Sequence, residues 1–257
     1  MTGVAARALT YAVGNATLVD GVDLVVSDGE FVAIVGPNGA GKSTLIGLLA
    51  GDLRPSAGGV ELLGEDLAGV PVGELALRRA VLKEQGVADI PFDVRAVVAM
   101  GRYPHRLDPD NTQLADITAV DEALDRTSTS HLAGRVFATL SGGERTRVSL
   151  ARVFAQDAPV LLLDEPTTAL DVAHQERVMS QMRFEARRER AVVAVLHDLN
   201  AAAYYADRVI LMAEGAIRAE GPPRGVFVEK ILSEVYRQRM RIIDHPFRDC
   251  PLILVAD

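Results

Sequence analysis

An α/β fold is predicted by three short stretches of the sequence. Residues 31–35 form a wholly apolar run, which is followed by a glycine-rich segment and then by leucines at helical spacing. Residues 160–163 form a second apolar run, which ends in two adjacent carboxylates, and residues 191–196 form a third. Strands that are apolar at every position are typical of parallel sheets whose two faces are both covered. The sequence therefore predicts an α/β protein that is built on a parallel sheet.

The glycine-rich segment predicts a phosphate-binding loop. Residues 36–43 read Gly-Pro-Asn-Gly-Ala-Gly-Lys-Ser and match the pattern G-x-x-x-x-G-K-S/T. Glycine tolerates the backbone angles that turn successive N–H groups towards a phosphate, and the following helix presents its N-terminus to the anion. We predict a P-loop NTPase core in which Lys42 reaches the β- and γ-phosphates and Ser43 binds Mg²⁺. The predicted nucleotide-binding residues are Gly36, Pro37, Asn38, Gly39, Ala40, Gly41, Lys42, Ser43 and Thr44, with Gly51 expected to end the helix.

The carboxylate pair predicts the catalytic edge of the sheet. Asp164 and Glu165 follow the apolar run 160–163, and open α/β sheets bind their ligands at the carboxyl ends of the strands. We expect Asp164 to hold Mg²⁺ through water and Glu165 to act as general base towards the attacking water.

A third motif, Ser141-Gly142-Gly143-Glu144, has two interpretations. Ser-x-x-Glu is a capping box, and Val148, Ala151 and Ala155 then fall on one helical face. A capped helix does not need two glycines in its first turn, however, and two such residues would let a phosphate approach bare N–H groups. We favour a second phosphate-recognition surface.

Composition limits the class of protein. The chain has 257 residues, of which 49% are hydrophobic, and a net charge of −8, which argues against binding to nucleic acid. Its longest apolar runs have about six to eight residues, too short to span a membrane, and we expect no signal peptide. The single cysteine, Cys250, excludes an intramolecular disulfide and fits a reducing cytosol.

Together these motifs resemble the nucleotide-binding subunits of ATP-binding-cassette (ABC) transporters, over about residues 8–225. Residues 140–144 resemble the family's signature sequence. The resemblance implies that the nucleotide is ATP, that Tyr11 stacks on adenine, and that Asp171, in Ala169-Leu170-Asp171, belongs to a loop that contacts a second subunit. It also implies that His197 is a catalytic residue contacting the γ-phosphate.

One position departs from the family pattern. The family places a glutamine that senses Mg²⁺ and the γ-phosphate in a switch loop, and this segment reads Lys83-Glu84-Gln85. An alignment without gaps puts Glu84 at that position, where its charge would oppose the triphosphate. A shift of one residue puts Gln85 there and makes it a Mg²⁺ ligand, and we favour Gln85.

The resemblance also implies the domain organisation: a RecA-like core with an antiparallel β subdomain and an inserted helical subdomain. Alternating apolar segments in residues 1–35 suggest antiparallel strands, and helical spacing dominates residues 86–157. We predict a nucleotide-binding domain over residues 1–225, with the helical subdomain at about 86–157. We expect residues 226–257 to form a C-terminal tail of helix and loose ends.

Partners and cargo follow from the resemblance alone. It implies a head-to-tail homodimer that traps ATP, permease subunits in the membrane, a substrate-binding protein reached through them, no direct contact with cargo, and a position at the cytoplasmic face of the membrane. Residues 91–105 resemble importer ATPases for haem, ferric siderophores and cobalamin. The resemblance favours haem through three segments, which are residues 79–82, residues 196–200 and the pair His245-Pro246. The basic and aromatic residues 100–105 are expected either to form a groove for the permease or to be a solvated helix end. Siderophore or cobalamin import, and a soluble ATPase without transport function, remain as alternatives.

Overall fold

The computed structural model describes residues 1–83, 90–107 and 110–256. The strands are β1 (Thr2–Val13), β2 (Ala16–Ser27), β3 (Phe31–Val35), β4 (Ala57–Leu62), β5 (Glu65–Asp66), β6 (Arg79–Leu82), β7 (Val160–Asp164), β8 (Ala191–Val195), β9 (Arg208–Ala213), β10 (Ala216–Gly221), β11 (Met240–Asp244) and β12 (Pro251–Val255). The helices are α1 (Lys42–Leu49), α2 (Val72–Arg78), α3 (Val94–Ala99), α4 (Gln113–Arg126), α5 (Gly142–Ala155), α6 (Val172–Arg187), α7 (Leu199–Tyr205), α8 (Pro223–Val226) and α9 (Glu229–Tyr236).

The central sheet has the strand order β10-β9-β3-β8-β7-β6. Four of its five strand pairings are parallel, and the fifth, between the outermost strand β10 and β9, is antiparallel. Every residue of β3, β7 and β8 is buried, which explains why these strands are continuous apolar runs. The predicted α/β fold is confirmed. The carboxyl ends of β3, β7 and β8, at Val35, Asp164 and Val195, lie side by side at the same end of the sheet.

A second sheet, of order β2-β1-β4-β5, is antiparallel. The antiparallel strands expected in residues 1–35 are thus β1 and β2, whereas β3 belongs to the central sheet. The reason is burial: β3 is covered on both faces, while β2 alternates between buried and exposed residues along its second half. One apolar cluster, containing Val4, Leu24 and Leu45, fills the space between the two sheets and α1.

The other face of the central sheet is covered by helices. Between residues 90 and 157, in the part that the structure describes, the chain forms α3, α4, α5 and three 3₁₀ turns, as the helical spacing predicted. These helices share one apolar cluster with the sheet, in which Val97, Leu124 and Phe137 join Leu161 and Leu163. This shared core packs the helices against the sheet, and the start of α5 lies across a cavity from the end of β7.

The C-terminal residues are ordered rather than loose. After α8 and α9 the chain forms a two-stranded antiparallel sheet of β11 and β12. Leu232, Met240 and Ile253 are buried in the cluster beneath the helices. The amide of Asn200 binds both backbone groups of Ile253, at 2.7 and 3.2 Å. The expectation of loose ends was wrong. Two strands of five residues each are too short to show a clear hydrophobic periodicity in the sequence, so the pairing of β11 with β12 could not be predicted.

In the described part of the chain, none of the helices combines the length and the apolar character needed to cross a membrane.

Candidate functional site

The glycine-rich loop connects β3 to α1, as its sequence predicted. Gly36 has a φ of 152° and Gly41 a φ of 94°, values that disfavour other residues. Space is equally restrictive, because a Cβ atom would lie 2.1 Å from the Met212 carbonyl oxygen at Gly36 and 2.2 Å from that of Leu18 at Gly41. Both glycines are therefore required by conformation and by packing.

Lys42 opens α1 and folds back over this loop. Its Nζ atom donates hydrogen bonds to the carbonyl oxygens of Gly36 and Pro37, at 2.8 and 2.9 Å, and the residue is buried. Burial lowers the pKa of the ammonium group, while the charges of Glu165 and Asp164 oppose that shift. The positive charge is thus positioned at the mouth of the loop, facing two carboxylates.

The edge of the central sheet brings together the residues predicted from separate motifs. The Ser43 hydroxyl donates to Asp164 Oδ1 at 3.1 Å, although 121 residues separate them. His197 Nε2 lies 2.5 Å from Glu165 Oε1, and the Thr168 hydroxyl donates to Glu165 Oε2 at 3.0 Å. The carboxylate of Glu165 is therefore fixed from two sides.

A cavity of about 380 Å³ lies over the loop and joins these groups. Its lining residues are Leu18, Asn38, Gly39, Ala40, Gly41, Lys42, Ser43, Thr44, Glu165 and His197. Leu18 had no signal in the sequence, since it reaches the cavity only through the β1–β2 pairing. Tyr11 pairs with Val19, next to Leu18, but is not among the described residues that line this cavity.

The Ser141 motif forms the start of α5, and its capping box is present. Ser141 N–H donates to Glu144 Oε2 at 2.8 Å, and Glu144 N–H donates to the Ser141 hydroxyl at 3.4 Å. The Ser141 hydroxyl also donates to Glu144 Oε2, at 2.9 Å, and the bonds from the Ser141 N–H and hydroxyl lower the pKa of the Glu144 carboxyl group. A Cβ atom on Gly143 would lie 2.8 Å from the Ala169 carbonyl oxygen, so the second glycine also has a packing reason.

A second cavity, of about 270 Å³, lies between the start of α5 and the carboxylate pair. It is lined by Leu82, Lys83, Phe137, Gly142, Arg145, Thr146, Ser149, Asp164, Glu165, Thr168 and Ala169. Sequence reasoning missed Lys83 and Arg145, whose only signal is their position beside recognised motifs. No described residue of the phosphate loop lines this cavity, and no residue of 141–144 lines the cavity over the loop.

Two further predicted positions have different outcomes. Asp171 caps α6, accepting from His174 N–H at 2.9 Å and lying 2.8 Å from His174 Nδ1, and these bonds lower the pKa of its carboxyl group. Glu84 and Gln85 lie outside the described residues, so the choice between them stays a prediction.

The segment 100–105 divides its side chains between the chain and solvent. Arg102 is buried and binds Asp116 Oδ1 at 2.8 Å and the Ala155 carbonyl oxygen at 3.0 Å. His105 Nε2 lies 2.8 Å from the Gln156 carbonyl oxygen, whereas Tyr103 is 70% exposed. Of these three side chains, only Tyr103 is therefore largely exposed to solvent.

The C-terminal region also reaches the phosphate loop. A cavity of about 660 Å³ is lined on one side by Pro37, Asn38, Gly39 and Ala40 and on the other by residues of β9, β10 and α9. Tyr236, the last residue of α9, lines it, and burial raises the pKa of its phenol to about 12.

This geometry agrees with comparisons to known proteins. The sequence profile of the family described as "ABC transporter" matches residues 19–168, more than half of the chain. The chain belongs to the ABC transporter family. Residues matched by the ABC profile include the phosphate loop, the Ser141 motif and the carboxylate pair, but not His197 or the C-terminal sheet.

Curated ABC proteins resemble nearly the whole chain. It is 51% identical over 237 residues to the hemin import ATP-binding protein HmuV of Nocardia farcinica, covering 92% of this chain and 82% of that protein. It is 51% identical over 246 residues to HmuV of Streptomyces coelicolor, covering 94% and 86% respectively.

Solved ABC structures share the fold. A dimeric ATP-binding cassette in a post-hydrolysis state with ADP and phosphate superposes with a TM-score of 0.76 at 26% identity, covering 86% of this chain and 99% of that one. An inward-facing transporter assigned to the metal-chelate type superposes with a TM-score of 0.83 at 25% identity, covering 100% and 98%.

Proposed function

We propose that this chain is the ATP-hydrolysing subunit of an ABC importer that takes up haem. The observation that carries the ATPase proposal is the single cavity in which Lys42, Ser43, Glu165 and His197 meet, with Asp164 bonded to Ser43. Phosphoryl transfer to water needs positioning and charge stabilisation more than covalent chemistry, and these groups supply both. Lys42 exchanges its loop carbonyls for the β- and γ-phosphates.

The donor set at the sheet edge fits Mg²⁺. The Ser43 hydroxyl and the buried Asp164 carboxylate offer oxygen ligands 3.1 Å apart, and Mg²⁺ prefers few protein oxygens together with phosphate and water. Phosphate oxygens and water would complete the shell of an ion held by these two residues. When bound, the ion neutralises charge on the phosphates. Gln85 is our choice for a further ligand.

Glu165 is proposed as the general base. Its carboxylate lines the cavity, is held by Thr168 and His197, and has a partner 2.5 Å away in His197 Nε2. Of the two, His197 is the more open, with 49% of its side chain exposed against 12% for Glu165. We infer that Glu165 accepts a proton from the attacking water, while His197 orients the Glu165 carboxylate and contacts the γ-phosphate.

A second copy of the chain completes the site. Because residues 141–144 do not line the cavity over the phosphate loop, we propose that the partner's signature motif closes over the ATP. ATP then favours the closed head-to-tail homodimer through its higher affinity for that state. Asp171, which caps α6, is proposed to face the partner, and Tyr11 is proposed to stack on adenine.

The ATPase proposal is tested with Glu165→Gln. This variant is expected to bind ATP, to hydrolyse it at least a hundredfold more slowly because the base is lost, and to elute as a dimer in Mg-ATP. Lys42→Ala is the matched control, because it should neither bind ATP nor dimerise. A monomeric elution profile for Glu165→Gln in Mg-ATP would contradict the dimer mechanism.

Haem is proposed as the cargo because the hemin import proteins match this chain over more than nine-tenths of its length. The chain is then expected at the cytoplasmic face of the membrane, bound to permease subunits and, through them, to a substrate-binding protein. Deletion should abolish growth on haem as the only iron source, with rescue by the wild-type gene but not by Lys42→Ala. If the deletion strain grows normally on haem but fails to use a ferric siderophore or cobalamin, the proposed cargo changes to that compound and the ATPase mechanism is unaffected.

A further inference from the structure

The segment that leads from Glu165 to α6 is backbone-strained. This connecting loop, residues 166–171, follows Glu165, whose φ is 52°, and contains Ala169, whose φ is 64°. A residue with a Cβ atom held in the left-handed region costs on the order of 1–2 kcal/mol. Such a conformation persists only where neighbouring groups hold it.

Gln175, in the first turn of α6, holds the connecting loop from behind. Its Nε2 atom donates to the carbonyl oxygens of Leu170 at 3.1 Å and of Thr167 at 3.4 Å. These carbonyls flank the strained residue Ala169. The side chain is half-buried, so water competes less for the two bonds than it would at an exposed site.

The connecting loop contacts both halves of the proposed catalytic site. At one end Thr168 donates its hydroxyl to Glu165 Oε2. In the middle, the Ala169 carbonyl oxygen packs so closely on α5 that a Cβ atom on Gly143 would lie 2.8 Å from it. A shift of Ala169 therefore moves the support of Glu165 and the surface under the signature motif together.

We propose that Gln175 is a positioning residue for ATP hydrolysis, acting through the connecting loop on Glu165 and on the signature motif. The proposal rests on the ATPase function proposed above. Gln175 is not among the described residues that line the cavity over the phosphate loop. Its loss should consequently lower the rate of hydrolysis and leave the affinity for ATP unchanged.

The test compares four variants. Gln175→Met and Gln175→Glu keep the length of the side chain and remove the donor, and Gln175→Lys restores a donor. Gln181→Met is the control, because Gln181 is half-buried on the same helix but donates to Glu185 Oε1, away from the loop. Losing one hydrogen bond of ordinary strength corresponds to a fall in kcat of up to roughly tenfold.

We expect Gln175→Met and Gln175→Glu to show this fall in kcat with an unchanged KM for ATP, Gln175→Lys to recover most of it, and Gln181→Met to match the wild type. A purely structural role would lower the yield or the melting temperature without this separation of kcat from KM. Equal kcat in all variants, or loss confined to KM, would overturn the proposal.

Amide hydrogen exchange of the peptide covering residues 166–171 gives a readout that does not depend on turnover. Exchange should accelerate in Gln175→Met and not in Gln181→Met. If the wild type does not hydrolyse ATP, the proposed function is wrong, but the exchange experiment still tests whether Gln175 holds the connecting loop. Unchanged exchange in Gln175→Met would refute the positioning role in either case.

Discussion

The two glycines of the signature motif should respond differently to the same substitution. A Cβ atom on Gly142 would be 3.7 Å from its nearest neighbour, the Ala169 Cβ atom, which is an ordinary contact, whereas on Gly143 it would be 2.8 Å from the Ala169 carbonyl oxygen. Both positions lie in the first turn of α5, where alanine is favoured over glycine by up to about 1 kcal/mol. Gly142→Ala should therefore stabilise the chain slightly, by about 0.5–1 kcal/mol.

Gly143→Ala gains the same helical preference but must displace backbone. Overpacking of this kind costs about 1–3 kcal/mol, so the net effect is destabilisation by up to about 2 kcal/mol. For a chain of this size, about 1 kcal/mol shifts the melting temperature by about 2–4 °C. Thermal unfolding monitored by circular dichroism should thus place the two variants on opposite sides of the wild type.

Activity should not follow stability in this pair. Gly142 is exposed at the helix start, where the partner's phosphate is proposed to approach, so Gly142→Ala should lose ATPase activity while melting no earlier than the wild type. Gly73→Ala serves as a control for the helical preference alone, because Gly73 lies in the first turn of α2 and a Cβ atom there would meet nothing within 4 Å. Equal melting temperatures for the two glycine variants would refute the packing argument, and full activity in Gly142→Ala would refute the second phosphate surface.

Three other measurements test separate features. Gln85→Ala should reduce steady-state ATPase turnover more than Glu84→Ala, and the reverse order would assign the switch position to Glu84. The pKa of Glu144 is lowered in the folded state, so the stabilisation by its carboxylate is complete above the unfolded-state pKa of about 4.5 and is lost as pH falls through the folded-state pKa. The difference in unfolding free energy between wild type and Glu144→Gln should therefore shrink in acid, and a constant difference from pH 7 to 3 would contradict this. Glu185 is fully buried between Arg126 and Arg190, so Glu185→Ala should destabilise the fold by about 3–5 kcal/mol in urea titrations, and a loss below about 1 kcal/mol would show that the cluster carries little stability.

The phosphate loop and the carboxylate pair could be predicted because their chemistry is local. The positive φ angles at Gly36 and Gly41 and the strand–loop–helix order are encoded in about 20 consecutive residues. The same holds for the Ser141 capping box, which requires residues only three apart. Each of these features depends on backbone geometry that its own residues determine.

Other features had no local signal. The contact of Ser43 with Asp164, the cavity position of Leu18 and the pairing of β11 with β12 all join residues that are distant in sequence or only weakly patterned. The expected loose C-terminal tail failed for this reason. Gly143 was attributed to phosphate approach alone, because the Ala169 carbonyl that packs against it is 26 residues away.

By itself, the sequence determined which groups are available for phosphate chemistry and on which kind of element each stands. The tertiary structure alone decided that Glu165 is held by Thr168 and His197 and that Gln175 donates to the loop beside it. It also decided that residues 141–144 do not line the cavity over the phosphate loop. The physical reason is that a motif constrains the dihedral angles of a few neighbouring residues, whereas distances between motifs depend on how the sheet and helices pack into one core.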